Sequence, residues 1–143
     1  MLRVFALIAA AAVLLFAASP EPWTNADLIQ PEVLAKAIQA KSAPKVLYVG
    51  FPVLYRATRV PGAVMTGPAA KDEGLALLKA ELAKLPKNAE VVLYCGCCPV
   101  EKCPNIRPAM KLAHDLGYQK VKLMMIPTNL HTDWVAKGYP VEK

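Results

Sequence analysis

Every cysteine of this 143-residue chain falls inside one stretch, Cys95-Gly96-Cys97-Cys98-Pro99-Val100-Glu101-Lys102-Cys103. Thiols this close together can do three kinds of chemistry. One of them, as a thiolate, can act as a nucleophile. Its neighbours can resolve an oxidised or persulfidated sulfur into a disulfide. Together they can ligate a soft cation such as Cu(I) or zinc. A purely structural disulfide framework fits poorly, because a disulfide stabilises chiefly by closing a long loop of the unfolded chain and these loops are short.

Position singles out Cys95. It follows the apolar run Val91-Val92-Leu93-Tyr94, which reads as a buried strand delivering its next residue into the thiol-rich loop. A helix is expected to begin near Ile106, and its N-terminus, the loop amides from Gly96 onward, Lys102 and Arg107 would favour a thiolate and hold an anion. Cys97, Cys98 and Cys103 are the candidates for resolving Cys95 or for pairing with each other, Cys98 with Cys103 for example. As metal ligands the four thiols suit Cu(I), zinc or an iron–sulfur cluster. Adjacent Cys97 and Cys98 share one ion badly, however, and the paired Cys-x-x-Cys knuckles usual for zinc are missing. Of the other reactive side chains, His131 in a loop could carry protons, but it and His114 read as exposed. Arg56 and Arg59 read as surface residues, and Trp134, Tyr118, Met124 and Met125 as core.

Strands alternating with helices must position this loop. Pro31 suits a first helical turn, and the apolar spacing that follows predicts a helix to about Lys41. Strands are expected at 45–49, at 63–65 after the Pro61-Gly62 turn, at 90–94 and at 121–126. Leu75, Leu78, Leu82 and Leu85 recur at helical spacing before Pro86, predicting a helix over about 70–85. Further helices are expected before Gly117 and over 130–137. The alternation implies an α/β fold whose central parallel sheet has helices on both faces. Ligands of such sheets bind at the carboxyl ends of the strands, where Cys95 falls.

Hydrophobic residues make up 55% of the chain and charged residues 20%, which favours a packed globule over disorder. The net charge of +6 comes from scattered Lys and Arg with no basic run, which argues against nucleic acid as a partner and for small anions. Met1-Leu2-Arg3 followed by the apolar run Val4–Ala18 and Ser19-Pro20 has the pattern of a secretory signal peptide, and the run is short of the roughly 20 residues that span a bilayer. The expected organisation is a signal peptide over 1–19, a linker over 20–29 and one domain over 30–143. The expected location is the periplasm or the exterior, with an uncleaved N-terminal anchor as the alternative. No stable membrane insertion is expected once the signal is removed.

The order of these motifs resembles the rhodanese-like domain, the fold of single-domain sulfurtransferases. The correspondence runs through Val46-Leu47-Tyr48-Val49-Gly50, Tyr55, Arg59-Val60-Pro61-Gly62-Ala63 and Val91-Val92-Leu93-Tyr94-Cys95. It continues through Leu116-Gly117-Tyr118, the strand at Val121, and Trp134 to Val141. The resemblance implies that Cys95 takes a sulfane sulfur from a small anionic donor as a persulfide and passes it to a thiol acceptor, as a thiosulfate sulfurtransferase does. No cofactor is called for. The chain departs from the family where Tyr48-Val49-Gly50 stands for the common Asp-Val-Arg, and where Arg59 stands for a common His. It departs again where Pro127-Thr128-Asn129 replaces a Gly-Gly pair, and in a loop lengthened by three further thiols. Two prolines in that loop, Pro99 and Pro104, have no N–H to offer an anion. The alternatives are a non-enzymatic module holding Cu(I) or zinc on Cys95, Cys97, Cys98 and Cys103, and an interaction domain whose cysteines are locked as disulfides.

Overall fold

The computed structural model describes residues 20–143; the leader-like segment 1–19 lies outside them. Five strands form one parallel sheet: β1 (Leu28–Ile29), β2 (Lys45–Tyr48), β3 (Val64–Met65), β4 (Glu90–Tyr94) and β5 (Lys120–Met124). Their spatial order is β1-β5-β4-β2-β3, so β4 runs through the middle. Four helices connect them: α1 (Pro31–Gln39), α2 (Pro52–Ala57), α3 (Asp72–Leu82) and α4 (Ile106–Asp115). A π-helical turn, His131–Val135, follows β5.

Parallel register places Leu28, Leu123, Leu93, Leu47 and Val64 side by side across all five strands. Successive side chains of a strand point to opposite faces, and Val91, Val92, Leu93 and Tyr94 are all buried, so β4 is covered on both sides. That is why its sequence is continuously apolar rather than alternating. Each fully buried Leu or Val of this row contributes roughly 1.5–3 kcal/mol relative to exposure. Helix α4 packs on β4 and β5, and α3 packs on α4.

Differences from the sequence reading sit at the ends and edges. Leu28–Ile29, inside the segment expected to be a linker, pairs with β5 as an edge strand, and two residues are too few to carry a periodicity. Helix α2 was not expected, since Phe51–Ala57 lacks an amphipathic pattern and none of its helical residues is buried; Pro52 at its first turn starts it. Helix α3 stops at Leu82 and strand β5 at Met124, both short of the expected ends. Among the described residues no helix is long and apolar enough to cross a membrane.

Gly74, in the first turn of α3, lets the helix sit on the preceding loop. A Cβ there would stand 2.1 Å from the Pro68 carbonyl oxygen, and backbone cannot yield as a side chain tip can. Gly to Ala within a helix ordinarily gains about 0.5–1 kcal/mol, but overpacking costs about 1–3 kcal/mol. Gly74→Ala is therefore expected to lower the urea midpoint of unfolding, and a raised midpoint would show that the α3 N-terminus is not seated on Pro68.

Candidate functional site

Cys95 is the first residue past β4, and its side chain is 2% exposed. Gly50, past the end of neighbouring β2, makes room for it. A Cβ on Gly50 would lie 2.8 Å from Cys95 Sγ and 2.6 Å from the Tyr48 hydroxyl oxygen. Both are side chains, so a side chain at 50 would be admitted only by displacing the sulfur and the phenol. At Tyr48-Val49-Gly50 there is thus a steric exchange: the sulfur and the Tyr48 phenol take volume that a side chain at 50 would need. Tyr48 folds back to donate to the Phe51 carbonyl at 3.0 Å, and its ring packs against Tyr94 and Tyr55 with centroids 5.1 and 5.4 Å away. Burial, then the neighbouring Cys95 thiol and Tyr94, push the Tyr48 hydroxyl well above the usual phenol range. It is a neutral donor at every physiological pH.

Asn105 approaches the sulfur from the other side. It is fully buried at the start of α4, a position where Asn normally caps its own helix. Here its Oδ1 accepts the Ala70 N–H at 2.9 Å, and its Nδ2 donates to Cys95 Sγ at 3.4 Å. The first bond fixes the amide orientation, because only the oxygen can accept, so the amine faces the sulfur. The residue therefore ties the loop before α3 to the thiol.

The remaining thiols converge on Cys97. Gly96, with φ +79, turns the chain so that Cys97 folds back over Cys95, and a Cβ on it would stand 2.9 Å from Leu130 Cβ. The Gly96 carbonyl accepts the Leu130 N–H at 2.9 Å, and the Val100 N–H reaches the Ile126 carbonyl at 3.0 Å, so the loop is pinned twice to the segment after β5. Cys97 Sγ lies 3.4 Å from Cys95 Sγ, 2.9 Å from Cys98 Sγ and 3.8 Å from Cys103 Sγ. All four are free thiols. The short turn Val100–Lys102 brings Cys103 back to the cluster, buried at 1% exposure. Burial and then the hydrogen bond with Cys98 push the Cys97 thiol up to about 12. The hydrogen bond with Cys95, followed by burial, pushes Cys103 up as well. Cys97 is the contact partner of both Cys98 and Cys103, the two thiols given above as an example of a possible pair.

Cys95, Gly96 and Cys97 line one side of a cleft of about 340 Å³. Tyr48, Leu54, Ala57 and Thr58 line another, and Asn129, Leu130, His131 and Val135 close it. Asp133 shapes that last wall by accepting the Thr128 and Asn129 N–H groups at 2.7 and 3.1 Å. Of the sequence-derived candidates, Cys95, Gly96, Cys97 and His131 meet here, while Cys98 and Cys103 stand behind Cys97. Lys102 and Arg107, expected to hold an anion, are not among the lining residues. Lys102 is exposed on its turn. Arg107 is engaged by the Glu21 carboxylate, the Glu101 carbonyl oxygen at 2.8 Å and the face of Trp23. Arg59 pairs with Glu142 at 3.4 Å and covers the Tyr55 ring. Trp134 is core, as expected, with its Nε1 donating to the Pro140 carbonyl at 2.7 Å. Asn105 was passed over, although a polar residue between Pro104 and the helix was a signal; Tyr48 and Gly50 stood out only as a departure from the family pattern, without a role.

The steric exchange at Gly50 predicts an energetic coupling to Cys95. Gly50→Ala should cost about 1–3 kcal/mol in chemical denaturation, and part of that loss should disappear in a Cys95→Ala background, with a coupling of about 1 kcal/mol in the double-mutant cycle. Purely additive effects would place the sulfur elsewhere. The Cys97 thiol yields a pH test. Only the thiolate alkylates, and a group titrating near 12 gains thiolate roughly tenfold per pH unit throughout the range below that value. Iodoacetamide labelling of Cys97, followed by peptide mass spectrometry, should therefore keep climbing from pH 8 to 10. A plateau by pH 9 would contradict the burial described.

Neither a protein-family model nor a curated protein matches the sequence. Solved structures do match in three dimensions. The solution structure of the rhodanese-like domain of the Alr3790 protein from Anabaena sp. superposes with a TM-score of 0.59 at 20% identity, over 81% of this chain and 78% of that one. A crystal structure of the Alr3790 protein gives 0.60 at 19% identity, over 80% of this chain and 90% of that one. Another, of its rhodanese-like domain, gives 0.52 at 23% identity, over 71% of this chain and the whole of that one. A likeness at such identities is one of backbone architecture, and by that architecture this chain has the rhodanese-like α/β fold.

Proposed function

We propose that the protein is a sulfurtransferase that carries sulfane sulfur on Cys95. The observation that supports this most directly is the position of Cys95, at the carboxyl end of the central strand and among the residues that line a cleft. A donor of the thiosulfonate class, such as thiosulfate, enters the cleft, and the Cys95 thiolate attacks its outer sulfur. The donor's sulfur–sulfur bond breaks, sulfite leaves with the electron pair, and Cys95 is left as a persulfide. An acceptor thiolate then attacks the terminal sulfur and the Cys95 thiolate is the leaving group. The Asn105 amine, at 3.4 Å, holds the sulfur in place through both displacements.

Cys97 is the resolving thiol in this reading, being 3.4 Å from Cys95. Its attack on the Cys95 sulfur of the persulfide forms the Cys95–Cys97 disulfide and releases hydrosulfide. The leader-like composition of residues 1–19 supports work in the periplasm or outside the cell, where such a disulfide persists.

Intact-mass spectrometry tests the carrier step. Reduced Cys97→Ser protein, in which the persulfide is not resolved, should gain the mass of one sulfur atom with thiosulfate and lose it on treatment with a reducing thiol; the wild type should go on to lose two hydrogens as the disulfide forms, and Cys95→Ser should gain nothing. An unchanged wild-type mass with thiosulfate and with an organic persulfide would sink the proposal.

A further inference from the structure

The sulfur cluster has a second property that does not depend on sulfur transfer. The Sγ atoms of Cys95, Cys97 and Cys103 all lie within 4.8 Å of one another, with the two edges at Cys97 measuring 3.4 and 3.8 Å. A metal–thiolate bond is about 2.3 Å long, which sets the edge of a planar three-sulfur site at about 4 Å. The triangle is thus near coordination size before any ion enters. Two of its three corners are buried.

We propose that Cys95, Cys97 and Cys103 together bind a single Cu(I) ion in three-coordinate sulfur geometry. The donor set is entirely thiol, which selects a soft cation over those preferring oxygen or imidazole. Three sulfurs leave a structural zinc site one ligand short of its closed tetrahedron. Cys98 is not placed as a fourth ligand: its sulfur is 2.9 Å from Cys97 Sγ, further inside the ligand spacing than either edge of the triangle at Cys97. Copper keeps its oxidation state on binding, and each copper–sulfur bond displaces one thiol proton to solvent.

The surroundings hold the triangle in shape. The Asn105 amine donates to Cys95 Sγ, and its orientation is fixed in turn by Ala70, as outer partners of metal ligands commonly are. Gly96 at φ +79 sets the position of Cys97 relative to Cys95. The Val100 N–H on the Ile126 carbonyl anchors the turn that returns Cys103. Little reorganisation is needed to close the site.

The test titrates the fully reduced, anaerobic protein with Cu(I) against a chromophoric Cu(I) chelator, with no sulfur donor present, so that its outcome is independent of persulfide formation. One equivalent should bind, X-ray absorption should count three sulfurs at about 2.3 Å, and Cys98→Ser should leave the affinity within about twofold. Cys97→Ser and Cys103→Ser should each weaken binding at least tenfold. Cys97 is only half-buried, so its variant decides the matter if Cys103→Ser does not fold by circular dichroism. Two-sulfur coordination, a Cys98→Ser loss equal to that of Cys97→Ser, or tighter retention of Zn(II) than of Cu(I) would each overturn the proposal.

Discussion

The site depends on one steric fact: Cys95 Sγ occupies space that a side chain at position 50 would claim. Two neighbouring parallel strands end side by side, and the residue after β4, Cys95, meets the second residue after β2, Gly50, in the same volume. In this chain the strand on the edge side gives way with a glycine and the central strand keeps a sulfur. The remaining features follow from that allocation. Tyr48 can turn its hydroxyl over the glycine, the tyrosine rings can pack tilted against one another, and Asn105 can reach the sulfur. With a longer side chain at 50 the thiol and the Tyr48 phenol would have to shift.

The loop itself is a second layer built on this first one. Its extra length is folded inward, pinned at Gly96 to Leu130 and at Val100 to Ile126, so that additional thiols gather at the sulfur rather than dangling from it. A short loop curling amides around a single cysteine makes a cradle for anions. A long one that turns sulfur inward and contains two prolines makes a soft, largely uncharged lining instead. The cleft wall agrees, with Leu54, Ala57, Leu130 and Val135 and no Lys or Arg among the residues that form it.

Much of this was legible in the sequence because it rests on local signals. The continuous apolar run of β4, the Pro31 start of α1 and the leucine spacing of α3 each carry their own cause, and Cys95 could be singled out from the strand that precedes it. The unread parts depend on pairs far apart in the chain. Gly50 means little until Cys95 is beside it, and Asn105 looks like a helix cap until Ala70 takes its oxygen. Arg107 looked available because proximity in sequence to Cys103 says nothing of Glu21, which lies 86 residues away and takes the guanidinium. Charges are especially hard to place this way, since a long side chain can serve any partner within its reach.

Cys97 stands within contact of three other sulfurs but has one sulfur atom to give. Any covalent bond it forms with one neighbour withdraws it from the other two, so the cluster behaves as a selector with mutually exclusive settings rather than as a pool of equivalent thiols. In an oxidised loop the partner of Cys97, rather than the number of electrons removed, would then distinguish one setting from another.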